Sequence, residues 1–252
     1  MNFIWVWNAK TIKRYMIIAI AAFFTAGILF VERSQIPVFS TDEEPFAIYK
    51  VDAEDKEIAL TFNISWGEER ATPILDTLKE LDIAGTFFVS AEWAERHPEI
   101  VERILEDGHE LGNHGYEHDH YTKWDDEKIK SDIQKSNRII TEVSNETPKY
   151  LRPPNGTFDE RVLNIAADLN YDVIHWSINS EDWKNPGVDT IVENVISEVT
   201  NGDIVLMHAS DSAKQTNEAL PEIIDQLKSS GFNFNTISEL LSGAEISSKE
   251  VH

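Results

Sequence analysis

Residues 58–89, IALTFNISWGEERATPILDTLKELDIAGTFFV, hold one complete strand–helix–strand unit. Ile58–Phe62 is a short apolar run, long enough for a strand and too short for a helix. After a polar break, Thr72–Leu81 places Ile74, Leu75, Leu78 and Leu81 three or four residues apart, the spacing of a single helical face. Thr86–Val89 returns to strand. Two strands joined through a helix run parallel by a right-handed crossover, and their sheet is buried on both faces.

Outward from this unit the rhythm repeats. Helices at 99–106, 125–143, 160–169, 190–199 and 217–228 alternate with strands at 110–112, 150–151, 173–178, 204–207 and 232–234, and a last helix lies around Ser238. About seven such units predict an α/β chain folded as an irregular (β/α)7 barrel. No repeat of fixed period and no break after Ala53 interrupts it, so residues 54–245 form one domain and 246–252 a disordered tail. Residues 32–53, polar and punctuated by Pro37 and Pro45, read as a linker with one short strand at Ile48–Val51. Further upstream, Lys10, Lys13 and Arg14 precede the uncharged stretch Met16–Val31, which Glu32 and Arg33 end. Residues 1–14 thus read as a cytoplasmic basic segment and 15–31 as a transmembrane signal-anchor, with the remainder extracytoplasmic. A cleaved signal peptide and a buried helix are the rival readings. The absence of a small-x-small site after Val31 favours the anchor.

Composition narrows the partners. With 45 acidic against 22 basic residues the formal charge is −23, a surface that repels phosphate backbones, so nucleic acid is excluded as a partner. There is no cysteine, so any metal has to sit on histidine and carboxylate ligands.

In a parallel barrel the working side chains gather on the loops that leave the C-terminal strand ends. Those loops here carry Asn63-Ile64-Ser65-Trp66-Gly67, Asn113-His114-Gly115-Tyr116-Glu117-His118, Arg152-Pro153-Pro154-Asn155-Gly156, Asn179-Ser180-Glu181-Asp182-Trp183 and Leu206-Met207-His208. His114 and His118, four apart, would share one side of a single helical turn, as a metal pair needs; a merely polar histidine loop is the other reading of that spacing. Asp182 could equally cap a helix entry, and Trp183 could be a core aromatic.

Taken in order, these segments resemble the motifs of the polysaccharide deacetylases, also called carbohydrate esterase family four or the NodB homology domain. Asn113–His118 is similar to the family's two-histidine metal motif, Leu151–Gly156 to its Arg-x-Pro-x-Gly motif, Trp176–Trp183 to its Asp-Trp motif and Leu206–His208 to its Leu-x-His motif. Thr61–Gly67 and His208–Ser212 resemble the sporulation-associated PdaB-type branch. The resemblance implies removal of N-acetyl groups from cell-wall amino sugars of peptidoglycan or spore cortex. It implies a divalent ion (Zn, Co or Ni) on His114 and His118, and His208 as the general acid held by Asp182. It further implies that Arg152 orients the base position and that Pro153, Pro154 and Gly156 shape a groove wall. The backbone N–H of Asn155 becomes an oxyanion donor, and Trp183 and Leu206 line an acetyl pocket.

One motif departs. Where the family has Thr-Phe-Asp-Asp, this chain has Asn63 and Ile64, so the general base and the third metal ligand are both missing. Ser65, Glu68 and Glu69 are the only nearby candidates to compensate. Loss of a positioned base costs about 10²–10⁴ in rate, so a domain that binds glycan without turnover is the alternative function.

Overall fold

The computed structural model describes residues 45–242 and 245–247, together with Met16 alone in the N-terminal region. In chain order the elements are β1 (Ala47–Ile48), β2 (Lys50–Asp52), β3 (Glu57–Ile64), α1 (Ala71–Glu80), β4 (Thr86–Val89), α2 (Ala91–Arg96), α3 (Pro98–Glu106), β5 (Glu110–Asn113), α4 (Asp126–Ser144), β6 (Tyr150–Leu151), α5 (Glu160–Asp168), β7 (Asp172–Ile174), β8 (Ile178–Asn179), α6 (Val188–Ile196), β9 (Ile204–His208), α7 (Thr216–Ser229), β10 (Asn233–Asn235), α8 (Ile237–Ser242) and β11 (Glu245–Ser247). The main sheet runs β1-β7-β6-β5-β4-β3-β9-β8, with β10 also on β3, and its pairings are parallel.

Strand periodicity sorts β3 into two faces. Ile58, Leu60, Phe62 and Ile64 point outward into the large core beneath the helices, together with Ile74, Leu75, Ile104, Ile191 and Ile223. Burial of each such side chain contributes about 1.5–3 kcal/mol. Ala59, Thr61 and Asn63 point the other way, into the barrel interior, where Ala59 packs with Phe88, Ile174 and Ile204. Gly112 makes room for Phe88 there, since a Cβ at that position would lie 2.4 Å from the ring.

Several expectations need correction. The strand anticipated over 173–178 is two strands on different neighbours, β7 on β6 and β1, β8 on β9. The bend between them donates from His175 N to Ile48 O and from Ser177 N to Ile204 O, so a single crossing segment, rather than a strand ladder, joins the two ends of the sheet. The boundary drawn at residue 54 falls too late, because β1 already lies in the main sheet. The tail drawn from 246 begins too early, because β11 pairs antiparallel with β2. Helix α2, absent from the sequence reading, fills the turn between β4 and α3. The segment read as an anchor, 15–31, lies outside the described residues apart from Met16. Among the described residues no helix is long and apolar enough to cross a membrane.

Candidate active site

Asn63 and His208 are register partners on adjacent parallel strands, so their side chains stand side by side on the interior face. One register step below lie Thr61 and Leu206, both buried. His114 follows β5 directly, two residues beyond the inward-facing Gly112, and so takes the same side.

His208 is held by the turn after β8. Its Nδ1 lies 2.7 Å from Asp182 Oδ1, and its backbone N–H donates to Asp182 Oδ2 at 2.7 Å. Trp183 N and Thr216 Oγ1 complete the set, so the fully buried Asp182 carboxylate accepts four hydrogen bonds. That arrangement fixes the proton on Nδ1 and turns Nε2 towards the pocket. Asp182 is therefore a partner of the imidazole rather than a helix cap. Trp183 is half-exposed at the rim, neither in the core nor enclosed in a pocket.

His114 donates from Nδ1 to Arg152 O at 2.7 Å, which leaves Nε2 as a lone-pair acceptor. That atom is buried and has no hydrogen-bond partner. The His118 ring stands 5.2 Å away, centroid to centroid. The anticipated helical turn does not form. Instead Gly115, at φ 77°, reverses the chain, and Asp132 on α4 accepts from Tyr116 N at 2.8 Å, Glu117 N at 3.1 Å and Tyr121 Oη at 2.7 Å. Ser136, one turn further along α4, donates to Asn113 Oδ1, which also receives Gly115 N. Burial, then His118 and to a lesser extent Arg152 and His208, push His114 well below the usual imidazole range. Desolvation and then His208 lower His118, although it stands at the solvent edge. Both rings are therefore neutral near pH 7, the form that ligates a metal. His114 and His208 thus stand at the C-terminal ends of strands of one parallel sheet and on its interior side, with His118 beside His114.

Arg152 crosses the interior beneath them, fully buried. It donates from Nε to Ile174 O, from Nη1 to Thr61 Oγ1 at 2.9 Å and Asn63 Oδ1 at 3.0 Å, and from Nη2 to His175 O. Its guanidinium carbon sits 4.0 Å from the Phe88 ring centroid. All four acceptors are uncharged, and burial lowers its pKa to about 9. A buried cation without a counterion is costly and is kept in place by its hydrogen bonds. Pro153 and Pro154 are buried beside it, while Asn155, at φ 59°, and Gly156 form the exposed turn above.

The third metal ligand is missing in a stronger sense than the sequence implies. Ile64 is fully buried among the apolar side chains of the outer core and offers no ligand atom. Of the proposed substitutes, Glu68 lies 3.4 Å from His97 Nδ1, and its loop is held by Trp93 Nε1 on Gly67 O and by Asp211 on the Glu68 and Arg70 amides. Glu68, His97 and Glu99 form the only cluster of three metal-capable side chains found among the described residues, and it excludes His114 and His118. The orphaned Nε2 of His114 with His118 suits two positions of a zinc-like ion. Among the described residues no carboxylate joins them as a third.

A histidine pair facing a carboxylate-held histidine, all at the C-terminal ends of parallel strands, belongs to a hydrolytic barrel of the carbohydrate esterase kind. The comparisons with known proteins agree, and the chain belongs to the polysaccharide deacetylase family. The model of that family, described as "Polysaccharide deacetylase", matches residues 50–174. A peptidoglycan-N-acetylglucosamine deacetylase of Bacillus cereus is 34% identical over 199 residues, covering 78% of this chain and 93% of that protein. The uncharacterized protein YlxY of Bacillus subtilis is 31% identical over 198 residues, covering 79% of this chain but only 61% of its relative. Among solved structures, BA3943 of Bacillus anthracis, described as a pseudoenzyme of the family, superposes with a TM-score of 0.76 at 34% identity, over 81% of this chain and 72% of that one. A mutant of BA3943 is described as having restored enzymatic activity.

Proposed function

We propose that this chain is a deacetylase-type hydrolase directed at N-acetyl groups of cell-wall amino sugars, with the acid half of its machinery intact. The observation that carries this reading is the His208–Asp182 pair: Asp182 accepts the Nδ1 proton, and Nε2, turned to the pocket, hands a departing sugar nitrogen the second proton that the imidazolium form of the ring carries. Arg152 sets the base position, and the Asn155 N–H lies on the turn that would receive the acyl oxygen. A divalent ion on His114 and His118 would polarise that oxygen when bound. The half-exposed rings of Trp66 and Trp183 stand on the rim loops as platforms for sugar rings.

A second reading, glycan binding without turnover, is favoured by Asn63, since an amide cannot accept a proton from water near neutrality. The two separate on acetate release from chitooligosaccharides and peptidoglycan, with and without added zinc, cobalt or nickel. Release that disappears in His208→Ala supports the hydrolase. Binding without release supports the second reading. The resemblance of Thr61–Gly67 and His208–Ser212 to the PdaB-type branch motivates a sporulation role for this domain. Residues 15–31 motivate a single-pass membrane location with the domain outside the cell; membrane fractionation of the tagged protein tests it.

A further inference from the structure

His97 ends α2 and opens α3, where Pro98 takes the first helical position. Its imidazole is only 18% exposed and packs on the Trp93 ring at 5.1 Å, centroid to centroid. Nδ1 faces two carboxylates from different parts of the chain, Glu68 Oε2 at 3.4 Å and Glu99 Oε1 at 3.9 Å. An imidazolium bonded to a carboxylate closes to about 2.7–2.9 Å, so neither contact is an ordinary ion pair. Two ligand atoms on one zinc-like ion, each about 2.0–2.2 Å from it at the tetrahedral angle, stand about 3.3–3.6 Å apart. The ligand atoms of all three side chains lie within 4.8 Å of one another. Bringing two carboxylates that close costs free energy unless a cation stands between them. Among the described residues no lysine or arginine pairs with Glu68 or Glu99. The backbone that carries Glu68 is already fixed, since Trp93 Nε1 donates to Gly67 O at 2.6 Å and Glu68 N to Asp211 Oδ2 at 3.2 Å.

We infer that Glu68, His97 and Glu99 hold one divalent ion of the zinc, cobalt, nickel or copper kind, at a position distinct from the His114 and His118 pair. The imidazole selects such ions over calcium and magnesium, which favour oxygen ligands. Both carboxylates are 67% exposed, so the ion is reached from solvent, and the net charge of −23 favours its approach. Once bound, it ties the loop after Asn63 to the corner between α2 and α3. It acts on the order of that loop and not on a reacting bond. The inference is independent of the deacetylase reading.

The test is equilibrium dialysis of the whole protein against zinc with magnesium in excess, so that unspecific carboxylate binding is suppressed. The expected result is one zinc per chain in His114→Ala/His118→Ala, with a Kd below about 100 µM. Adding either His97→Gln or Glu68→Gln/Glu99→Gln to that protein should weaken binding at least about tenfold. In otherwise wild-type protein the same substitutions should remove one equivalent, which keeps the result readable if the buried His114 is needed for folding. Copper gives an optical readout, because an ion on His97 quenches the emission of the adjacent Trp93, and His97→Gln should diminish that quench. Zinc uptake that neither His97→Gln nor Glu68→Gln/Glu99→Gln reduces overturns the inference, as does no uptake by a folded His114→Ala/His118→Ala protein.

Discussion

Asn63→Asp exchanges one nitrogen for one oxygen and sets a carboxylate about 3 Å from Arg152 Nη1, the distance that the amide oxygen now occupies. Unit charges that close attract by about 5 kcal/mol at an effective dielectric of about 20. Desolvating the new carboxylate costs several kcal/mol in return. Because Arg152 is already buried and bonded, its own desolvation is not incurred again. The two effects nearly offset, so folding stability should shift by no more than about 2 kcal/mol, while Arg152 rises from about 9 towards its ordinary pKa. The catalytic effect is larger, since a positioned base is worth about 10²–10⁴ in rate. The assay is acetate release from an N-acetylglucosamine oligomer by wild type, Asn63→Asp and Asn63→Asp/His208→Ala, each with and without added metal. The expected order is a gain of at least about 100-fold in the single variant, abolished in the double. A folded Asn63→Asp protein that binds the oligomer yet releases acetate within about twofold of wild type would refute the reasoning.

Ile64→Asp should behave in the opposite way. Its side chain is fully buried in the outer core, so a carboxylate there should cost about 3 kcal/mol or more and add no metal affinity. Thermal unfolding and zinc titration check both halves, and a stable variant with tighter zinc binding would contradict the assignment of that face. Gly115→Ala forces a side chain onto a backbone at φ 77°, with its Cβ 2.6 Å from Tyr121 Oη. It should cost about 1–3 kcal/mol and displace His118, seen as weaker cobalt binding and altered imidazole resonances. His109 is buried with Nδ1 accepting from Gly85 N, and burial depresses its pKa from 6.5 to about 4. Between those values the unfolded chain binds the extra proton, so stability is complete above about pH 6.5 and falls by about 2–3 kcal/mol as pH drops to about 4. His109→Asn, which keeps an acceptor for Gly85 N, should flatten that slope in urea titrations at neutral and acid pH; an unchanged slope would show that His109 does not carry it.

The strand-end loops were legible because each working residue sits within a few positions of an apolar run that announces its strand. What supports those residues was not. Asp132, which pins the His114–His118 loop, lies in the helix after it, and its signal was an acid on the face that Ile129, Ile133 and Ile140 bury. The division of 173–178 into β7 and β8 depends on two distant acceptors, Ile48 O and Ile204 O, which no local pattern reveals. A two-residue strand such as β1 carries no periodicity of its own.

The parity of β3 was present in the sequence from the start, and it separates the two departures in the first motif. Ile64 shares parity with Ile58, Leu60 and Phe62, so it continues the outer core and leaves no gap in the pocket. Asn63 shares parity with Thr61 and lies on the pocket side, where it is nearly isosteric with the carboxylate it replaces and still accepts from Arg152. The barrel interior therefore keeps its hydrogen bonds and shape although the residue that would take a proton is gone. At residue 63 the base and the architecture come apart at a single atom, which is why a change at 63 should act mainly on turnover, whereas a change at the core-packed 64 should act mainly on folding.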